Sequence, residues 1–433
     1  GRFNIPTILV ICGYQPSGHY KGRHVDIEDV FLGSVQAAFG KLSREDLRGM
    51  CDHAIGGPGV CAGMGTANSM HIVCEALGMT LPGSAPVLAN SPRMFDLARE
   101  SGRRIVQMVW DDLKPRDILT PAAFHNASAA VLSVSGSINC IKHLQATAVE
   151  AGVDVDVFRI FEDLADKVPV LSAVAPNGAD TIDAFEAAGG AKGLLKRLEP
   201  LLDLTAMTVT GRTMAENLAD AVVQGNEVIR PLDRPFATKP PIVILHGTLA
   251  PESAIVKLGV RDATRPTRFT GSANVYDNGF EAIAAIERGE VKPGQVLVVR
   301  GMGPKGGPAM AGPASRVVFA VDSAGLSDEV AVVTDGQLSG LCLKGITVAE
   351  VSPESAIGGP LSLVENGDRI HIDVDARVLD LQVPEAELAA RRARKGEPVL
   401  PQSRGYLSIY QRSVQPMSKG AVLVKSDGPP KGT

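Results

Sequence analysis

The sequence predicts an α/β protein in two parts, an N-terminal α/β layered domain and a C-terminal β-rich, barrel-like domain. Three observations support this prediction. Residues 1–228 alternate short apolar runs with helical patterns, as layered α/β domains do. A proline-rich linker, EVIRPLDRPFATKPP, then interrupts the alternation. Strand-length apolar runs separated by Gly and Pro turns predominate over the rest of residues 229–433, which is typical of a barrel.

In the first domain, two runs rich in β-branched and other apolar residues, IPTILVI and RRIVQMVW, are predicted to be strands. Apolar residues at three- and four-residue spacing predict helices elsewhere. The predicted helices are VFLGSVQAAFG, SPRMFDLARES, PAAFHNASAAVL, TIDAFEAAGGAKGLLKRLEP and TMAENLADAVVQ.

In the second domain, helical spacing is clear only in EAIAAIERGE and PEAELAARRARKG. The remaining apolar runs are short and lie between turn residues, so we expect strands there. The predicted strands are IVILHG, VLVVR, EVAVVTDG, RIHIDVDARVLDLQV and AVLVK.

Composition excludes several classes of protein. The 433 residues suffice for two or three domains, and with aromatics at 4% the cores must be built from aliphatic side chains. A net charge of −5 argues against a nucleic-acid-binding protein. No apolar run approaches the ~18–20 residues that cross a bilayer. Six cysteines without a close pair do not form a disulfide framework, so we expect a reducing cytoplasm.

Cys61 lies in GGPGVCAGMGTANSM, where a Gly/Pro-rich loop leads into a predicted helix. Free N–H groups and the positive end of the helix dipole favour a thiolate at that place. Such a thiolate could be a metal ligand, a nucleophile or a redox thiol, and a plain buried cysteine is an equal alternative. Cys51 opens the same loop without zinc-type spacing, and Cys74 falls on the apolar face of the helix.

Two glycine-rich turns follow strands in the second domain. RGMGPKGGPAM matches G-x-G-x-x-G, but its prolines oppose a helix, so we expect a loop that brings bare backbone near an anionic substrate rather than a nucleotide site. VVTDGQLSG places Ser339 beside glycine, although G-x-S-x-G is not met. A reactive serine would need a base or a metal, and a turn serine is the alternative.

The histidines are scattered and show no HExxH or other zinc spacing. His19 and His24 share a Gly-rich turn with Lys21 and Arg23, a cluster that could bind an anion. A solvated loop is the simpler interpretation of the same residues.

Taken together, these stretches resemble the iron–sulfur dihydroxy-acid and sugar-acid dehydratases. The resemblance follows the chain in order over nearly its whole length. It is carried by PGVCAGMGTANSM with EALGMTLPGSA, KPRDILTPAAF, SGSINCIKHL, GPKGGPAM, TDGQLSG, VSPESAIGGPLSLVENGDRIHID and RGYLSIYQRSV.

The resemblance implies removal of water from a 2,3-dihydroxy acid or sugar acid, which gives a 2-keto-3-deoxy acid. It implies a [2Fe-2S] cluster with Cys61 as a ligand, a magnesium ion, and Ser339 as the base that takes the C2 proton. Candidate substrate contacts are Ser137, Asn139, Lys305 and Asp335. The implied assembly is a homodimer or a homotetramer, with a small hydroxy acid as the substrate. Branched-chain dihydroxy acids and aldonic acids both stay open.

The sequence departs from the family pattern in three places. The other cluster cysteines and a Cys-Asp-Lys metal motif are expected upstream of Gly1. Gly312 stands where the family has a glutamate on the metal, in GGPAMAGP instead of GGPGMPEM. SGSIN replaces GGSTN, with Ser135 and Ile138 at the changed positions. A catalytically silent homologue that acts as a regulatory or interaction subunit is therefore the alternative, and a metal-independent sugar-acid binder is a third.

Overall fold

A computed structural model describes residues 1–260, 266–307, 312–401 and 404–423. It contains two compact units. Of the described residues, the first unit comprises Gly1–Gly33 and Ser43–Pro241, and the second comprises Ser34–Leu42 and those from Ile242 to Leu423. The domain boundary expected between residues 228 and 229 stays a prediction.

Helices dominate the chain up to Pro241. They are α1 (Ile27–Ala38), α2 (Arg44–His53), α3 (Thr66–Ala76), α4 (Pro92–Trp110), α5 (Pro115–Ile118), α6 (Pro121–Ser133), α7 (Asn139–Ala151), α8 (Val157–Ala165), α9 (Ile182–Ala187), α10 (Gly190–Leu198) and α11 (Met214–Leu218). A short hairpin joins β1 (Gly18–Tyr20) to β2 (Arg23–Val25). The helices predicted from spacing in this region are present, but TIDAFEAAGGAKGLLKRLEP forms two helices, α9 and α10, separated at Gly189, and the last predicted helix is shorter than expected.

Local chemistry explains where several of these helices begin. Three helices begin at a side chain that accepts a hydrogen bond from the backbone N–H three residues later. The side chains are Ser43 before α2, Ser91 before α4 and Asp156 before α8. Proline opens α4 and α6, where its missing N–H costs nothing. α6 is buried along almost its whole length and contacts α3 and α8, so it forms the centre of the first core.

The strand prediction for RRIVQMVW is wrong, because this run is the last part of α4. Ser101 and Met108 are the buried positions of α4, two helical turns apart, while Val106, Val109 and Trp110 are exposed. The run IPTILVI is not a strand either. It joins its neighbours through single hydrogen bonds such as Leu9 N–H to the Met79 carbonyl at 2.8 Å.

The second unit is built on one sheet, for which the described residues supply eight strands. These are β3 (Ile242–Leu245), β4 (Ser253–Lys257), β5 (Arg268–Tyr276), β6 (Gln295–Val299), β7 (Ala331–Thr334), β8 (Thr347–Ser352), β9 (Arg369–Asp373) and β10 (Val378–Leu381). The order is β10-β9-β5-β6-β7-β8-β4-β3, with parallel pairing from β5 to β8 and antiparallel pairing on both sides.

The sheet closes on itself. His246, directly after β3, forms a bridge with Val378 of β10, and its carbonyl accepts a hydrogen bond from Leu379 N–H at 2.8 Å. The strands enclose an aliphatic core of Val, Leu, Ile and Ala. The mixed α/β class and the barrel-like C-terminal sheet are therefore confirmed.

The second unit also contains the helices α12 (Gly279–Glu287), α13 (Gly312–Ser323), α14 (Glu385–Lys395) and α15 (Gly405–Ser413), of which α12 contacts β5 and β6. α12 and α14 match the two helices predicted here. The expected strand AVLVK is not seen over residues 421–423, and residues 424 and 425 lie outside the described ranges. Among the described helices, none has both the length and the apolar character needed to cross a membrane.

Candidate active site

Cys61 lies in the loop before α3, half-buried, with its Sγ 3.9 Å from Glu28 Oε1. Burial raises the pKa of the Cys61 thiol to about 12, and the nearby Glu28 carboxylate raises it too. The adjoining helix N-terminus therefore does not make this thiol acidic by itself. A cation bound by the sulfur would oppose both effects, because it favours the thiolate and attracts the carboxylate.

Glycine keeps the space around the thiol and the carboxylate clear. A Cβ added at Gly65 would lie 2.8 Å from Glu28 Oε1 and 3.6 Å from Cys61 Sγ. At Gly63 it would lie 3.0 Å from Glu28 Oε2. Thiolate and carboxylate are both ligands for iron, so this glycine-lined cradle fits one side of a metal centre. Within the described part of the chain, no three or more His, Cys, Asp or Glu side chains form a metal-binding group, so a cluster would need further ligands.

Asn68, on the first turns of α3, holds this loop in place. It is fully buried, and its amide nitrogen donates to the Cys61 carbonyl and to the Gly63 carbonyl, each at 2.8 Å. Sequence reasoning missed Asn68. The available signal was a polar amide within a helix whose neighbours are apolar, because a buried amide needs partners.

Ser137 and Asn139 meet the first turn of α3. Ser137 Oγ lies 2.9 Å from Thr66 Oγ1, and Asn139 Nδ2 donates to Thr66 Oγ1 at 2.8 Å. Lys142, also buried, donates from Nζ to Asn139 Oδ1 at 3.2 Å. The structure thus connects the two predicted substrate contacts to the helix that follows Cys61, through a buried polar network. Their role in binding substrate stays a prediction.

Ser339 follows β7, in a half-buried turn of the second unit. Its N–H donates to Ser315 Oγ on α13 at 2.8 Å, and its Oγ accepts from Leu341 N–H at 3.3 Å. No carboxylate or imidazole of the described residues hydrogen-bonds to Ser339 Oγ. A backbone N–H aimed at this oxygen stabilises negative charge there, but the pKa of a serine is high enough that a cation is still required.

Asp335, four residues before Ser339, is only 1% exposed and makes internal hydrogen bonds. Its Oδ1 accepts from Met302 N–H at 2.9 Å. Its Oδ2 accepts from Gly301 N–H at 3.2 Å, and from both the N–H and the hydroxyl of Ser355, at 2.9 and 2.5 Å. These contacts favour a positioning role over the substrate contact predicted from sequence.

Lys305 lies in a loop whose backbone N–H groups bind the carboxylate of Glu354. The N–H groups of Lys305 and Gly306 donate to Glu354, each at 2.9 Å, and burial raises the pKa of Glu354. Lys305 Nζ donates to the Gln411 carbonyl on α15 at 2.9 Å. These backbone groups, which the sequence suggested would face an anionic substrate, bind a residue of the chain itself. α13 begins at Gly312, and residues 308–311 before it lie outside the described ranges.

The remaining candidates are not brought into these clusters. Cys51 is exposed on α2, and Cys74 on α3 is half-buried. The His19 and His24 rings lie next to each other on the β1–β2 hairpin, with centroids 4.3 Å apart and ring planes tilted by 48°. Lys21 pairs with Asp46 at 2.5 Å, so its charge is already matched. The solvated-loop interpretation of this turn is the better supported one.

Comparison with known families gives matches over almost the whole chain. Residues 1–217 match the model of the dihydroxy-acid/6-phosphogluconate dehydratase N-terminal region. Residues 227–421 match the model of the corresponding C-terminal region.

Individual relatives give the same result. Proteins named dihydroxy-acid dehydratase from Moorella thermoacetica and Ignicoccus hospitalis are 41% and 40% identical, over 428 and 424 residues respectively. One from Pyrococcus abyssi is 40% identical over 431 residues. Each alignment covers 98% of this chain and 76% of the relative. These names do not favour the alternative of a catalytically silent subunit.

Proposed function

Because the chain belongs to the dihydroxy-acid/6-phosphogluconate dehydratase family and is a hydro-lyase, we propose that it converts a 2,3-dihydroxy carboxylic acid to the 2-keto-3-deoxy acid. The observation that carries this proposal is the Ser339 turn, in which a backbone N–H faces a half-buried serine oxygen after a central barrel strand. The names of the relatives favour a dihydroxy acid over an aldonic acid as substrate.

The reaction is an elimination in which the C2 proton and the C3 hydroxyl leave as water. The electron pair of the C2–H bond forms a C2–C3 double bond, and the resulting enol tautomerises to the keto acid. We assign proton removal to Ser339. Ser315 fixes the backbone of Ser339, and the Leu341 N–H stabilises negative charge on Oγ. Asp335 holds the start of the turn by fixing the Gly301–Met302 backbone and Ser355 around it.

Membership of the family and the cradle at Cys61 support the proposed cofactors. Cys61 would bind an iron of a [2Fe-2S] cluster as thiolate, with the Glu28 carboxylate beside it. When bound, the cluster supplies a Lewis acid for the departing hydroxyl, and Mg²⁺ supplies positive charge for the substrate carboxylate and for a serine alkoxide. Since Gly312 stands at the position of the family glutamate, we expect weaker magnesium binding than in relatives that keep the carboxylate.

Replacing Ser339 with Ala tests the assignment of the base. Keto-acid formation should fall by about 10²–10⁴-fold, the usual contribution of a positioned base. Iron and sulfide content should stay unchanged, because serine is not an assigned cluster ligand. Ser327→Ala is the matched control, since Ser327 is another half-buried turn serine of the same unit.

The measurement is keto-acid release against magnesium concentration, with branched dihydroxy acids and aldonic acids offered separately. Equal rates for wild type and Ser339→Ala would remove Ser339 from the mechanism. A fully iron-loaded wild type that is inactive on every substrate at high magnesium would instead favour the silent subunit.

Cys61→Ser tests the cofactor assignment. A serine oxygen is a hard, high-pKa ligand, so iron should be lost while the fold survives. Cys51→Ser is the control, because Cys51 is an exposed thiol outside the cradle. Full iron content in Cys61→Ser after anaerobic purification would show that the cluster is held elsewhere.

We further propose a cytoplasmic homodimer or homotetramer. The cysteine pattern supports a reducing compartment, and homo-oligomers with closed symmetry are the common assembly of soluble enzymes. Sedimentation velocity on the full-length protein tests the assembly, and a monomer at micromolar concentration would contradict it.

A further inference from the structure

The first unit contains a second sulfur-centred cluster, next to the Cys61 loop but separate from the cradle. Cys12 is exposed, and its Sγ lies 3.7 Å from His71 Nε2. The other ring nitrogen, His71 Nδ1, lies 3.2 Å from Asn68 Oδ1. Cys12, His71 and Asn68 therefore form a chain of thiol, imidazole and amide.

Asn68 determines which nitrogen of His71 carries the proton. Both hydrogens of its amide nitrogen are already used, on the Cys61 and Gly63 carbonyls. Its oxygen must therefore face His71, and an oxygen can only accept, so Nδ1 is the protonated nitrogen. The lone pair of Nε2 is left facing Cys12 Sγ. A buried partner that fixes the tautomer in this way is the usual support of a metal-binding histidine.

The distance between sulfur and nitrogen suits a metal ion. Tetrahedral zinc with Zn–S of about 2.3 Å and Zn–N of about 2.0–2.1 Å places its two ligand atoms about 3.6 Å apart. The observed separation is 3.7 Å. A thiol hydrogen bond to the same nitrogen has a similar length, so the distance alone admits both arrangements.

The geometry favours a ligand, because Asn68 fixes the tautomer of His71 and leaves the Nε2 lone pair facing a thiol that solvent can reach. The burial of His71 agrees with this assignment. Burial lowers the pKa of His71 to about 4, so the imidazole is neutral at neutral pH. Such an imidazole is a poor base for a thiol, because the ordinary pKa of cysteine lies several units higher. The same property helps metal binding, since no proton competes for Nε2.

We propose that Cys12 and His71 form a two-ligand site for a soft divalent cation, of which zinc is the type case. The thiol loses its proton to solvent as the metal–sulfur bond forms, and water completes the coordination. The exposed thiol gives the ion access from solvent. Because the Gly13 carbonyl accepts a hydrogen bond from Val60 N–H at 3.0 Å, the backbone beside Cys12 is tied to the loop that carries Cys61.

The experiment is titration of the anaerobically purified full-length protein with zinc against a chromophoric chelator. Iron and sulfide are measured before and after, so that exchange at a cluster is detected separately. The wild type should bind one zinc that Cys12→Ser does not bind. His71→Gln should weaken it at least about tenfold, since even outer-shell partners of metal ligands contribute that much.

Cys51→Ser is the matched control, because it removes an exposed thiol of α2 and should keep the site. Circular dichroism and thermal unfolding of each variant exclude loss of fold, and Cys12→Ala provides a second removal of the sulfur. Unchanged zinc affinity in His71→Gln would show that a lone thiol binds the metal. Wild-type binding in the Cys12 variants, or no binding by the wild type at micromolar zinc, would overturn the proposal.

Discussion

Asp335→Asn distinguishes a residue that positions the catalytic turn from one that touches substrate. The carboxylate accepts three backbone N–H groups and one hydroxyl in a site that is 1% exposed. Asparagine offers one oxygen. If that oxygen keeps the three donors on the Oδ2 side, the new amide nitrogen faces the Met302 N–H and both donors lack an acceptor.

The cost can be worked out from these contacts. Loss of the bond to Met302 removes about 1.5–3 kcal/mol, because a hydrogen bond to a charged group is worth that much. The three remaining bonds lose their charge assistance, which is about half of their strength. At about 0.75–1.5 kcal/mol for each of these three bonds, the effects together predict a loss of about 4–7 kcal/mol in the free energy of unfolding. Asp322→Asn is the control, since Asp322 pairs with Lys344 at the surface and should cost less than about 1 kcal/mol.

The assay combines urea unfolding of both variants with steady-state kinetics. A positioning role predicts a large loss of stability and a lower kcat with little change in KM, because the turn that carries Ser339 shifts while substrate contacts stay. A stable Asp335→Asn variant with a raised KM would refute this reasoning and would support direct contact with substrate.

Two further predictions concern the first unit. Gly65→Ala should lower iron content with a stability change below about 1 kcal/mol. Gly65 has φ −79°, which alanine tolerates, and the new Cβ meets the movable Glu28 side chain. The control is Gly102→Ala, in open space on α4, which should keep the iron and raise the free energy of unfolding by about 0.5–1 kcal/mol. Equal iron content in the two variants would contradict the assignment of the cradle. Burial raises the pKa of Glu75 in the folded protein to about 7. The contribution of the neutral side chain to the free energy of unfolding is therefore fully present below the unfolded pKa near 4.5, and it is lost as the pH rises through 7. The wild type should therefore lose about 3 kcal/mol more than Glu75→Gln between pH 4.5 and 8, measured by urea unfolding, and parallel pH profiles would rule out this effect.

Much of the secondary structure could be predicted from periodicity, and the errors have identifiable physical causes. The end of α4 was mistaken for a strand because Val106, Val109 and Trp110 are apolar but exposed, so their composition outweighed their helical spacing. β5 was missed because its sequence, RFTGSANVY, alternates burial without alternating strongly apolar residues. α13 was missed because glycine and proline open it, and both usually indicate a turn.

The candidate site was predicted in part. Cys61 and Ser339 lie in glycine-flanked loops beside regular elements, a pattern that is visible in sequence. Glu28 and Asn68 were not predicted, because their contacts join positions far apart along the chain or sit within a helix where spacing says nothing about partners. The network around Ser137 and Thr66 likewise joins α3 to residues about 70 positions later.

The glycine-rich loop after β6 changes how recognition of the substrate anion should be understood. Four of its backbone N–H groups, at Gly301, Met302, Lys305 and Gly306, already donate to Asp335 or Glu354. These groups cannot also bind a substrate carboxylate unless an internal carboxylate moves, and both are buried. If the substrate is a carboxylate, as proposed, the charge that balances it comes from other groups, and the proposed magnesium ion is a compact source of that charge. Gly312 stands where the family has a glutamate. We therefore expect the first effect of this difference to be a higher magnesium concentration needed for activity, before any change in the chemistry at Ser339.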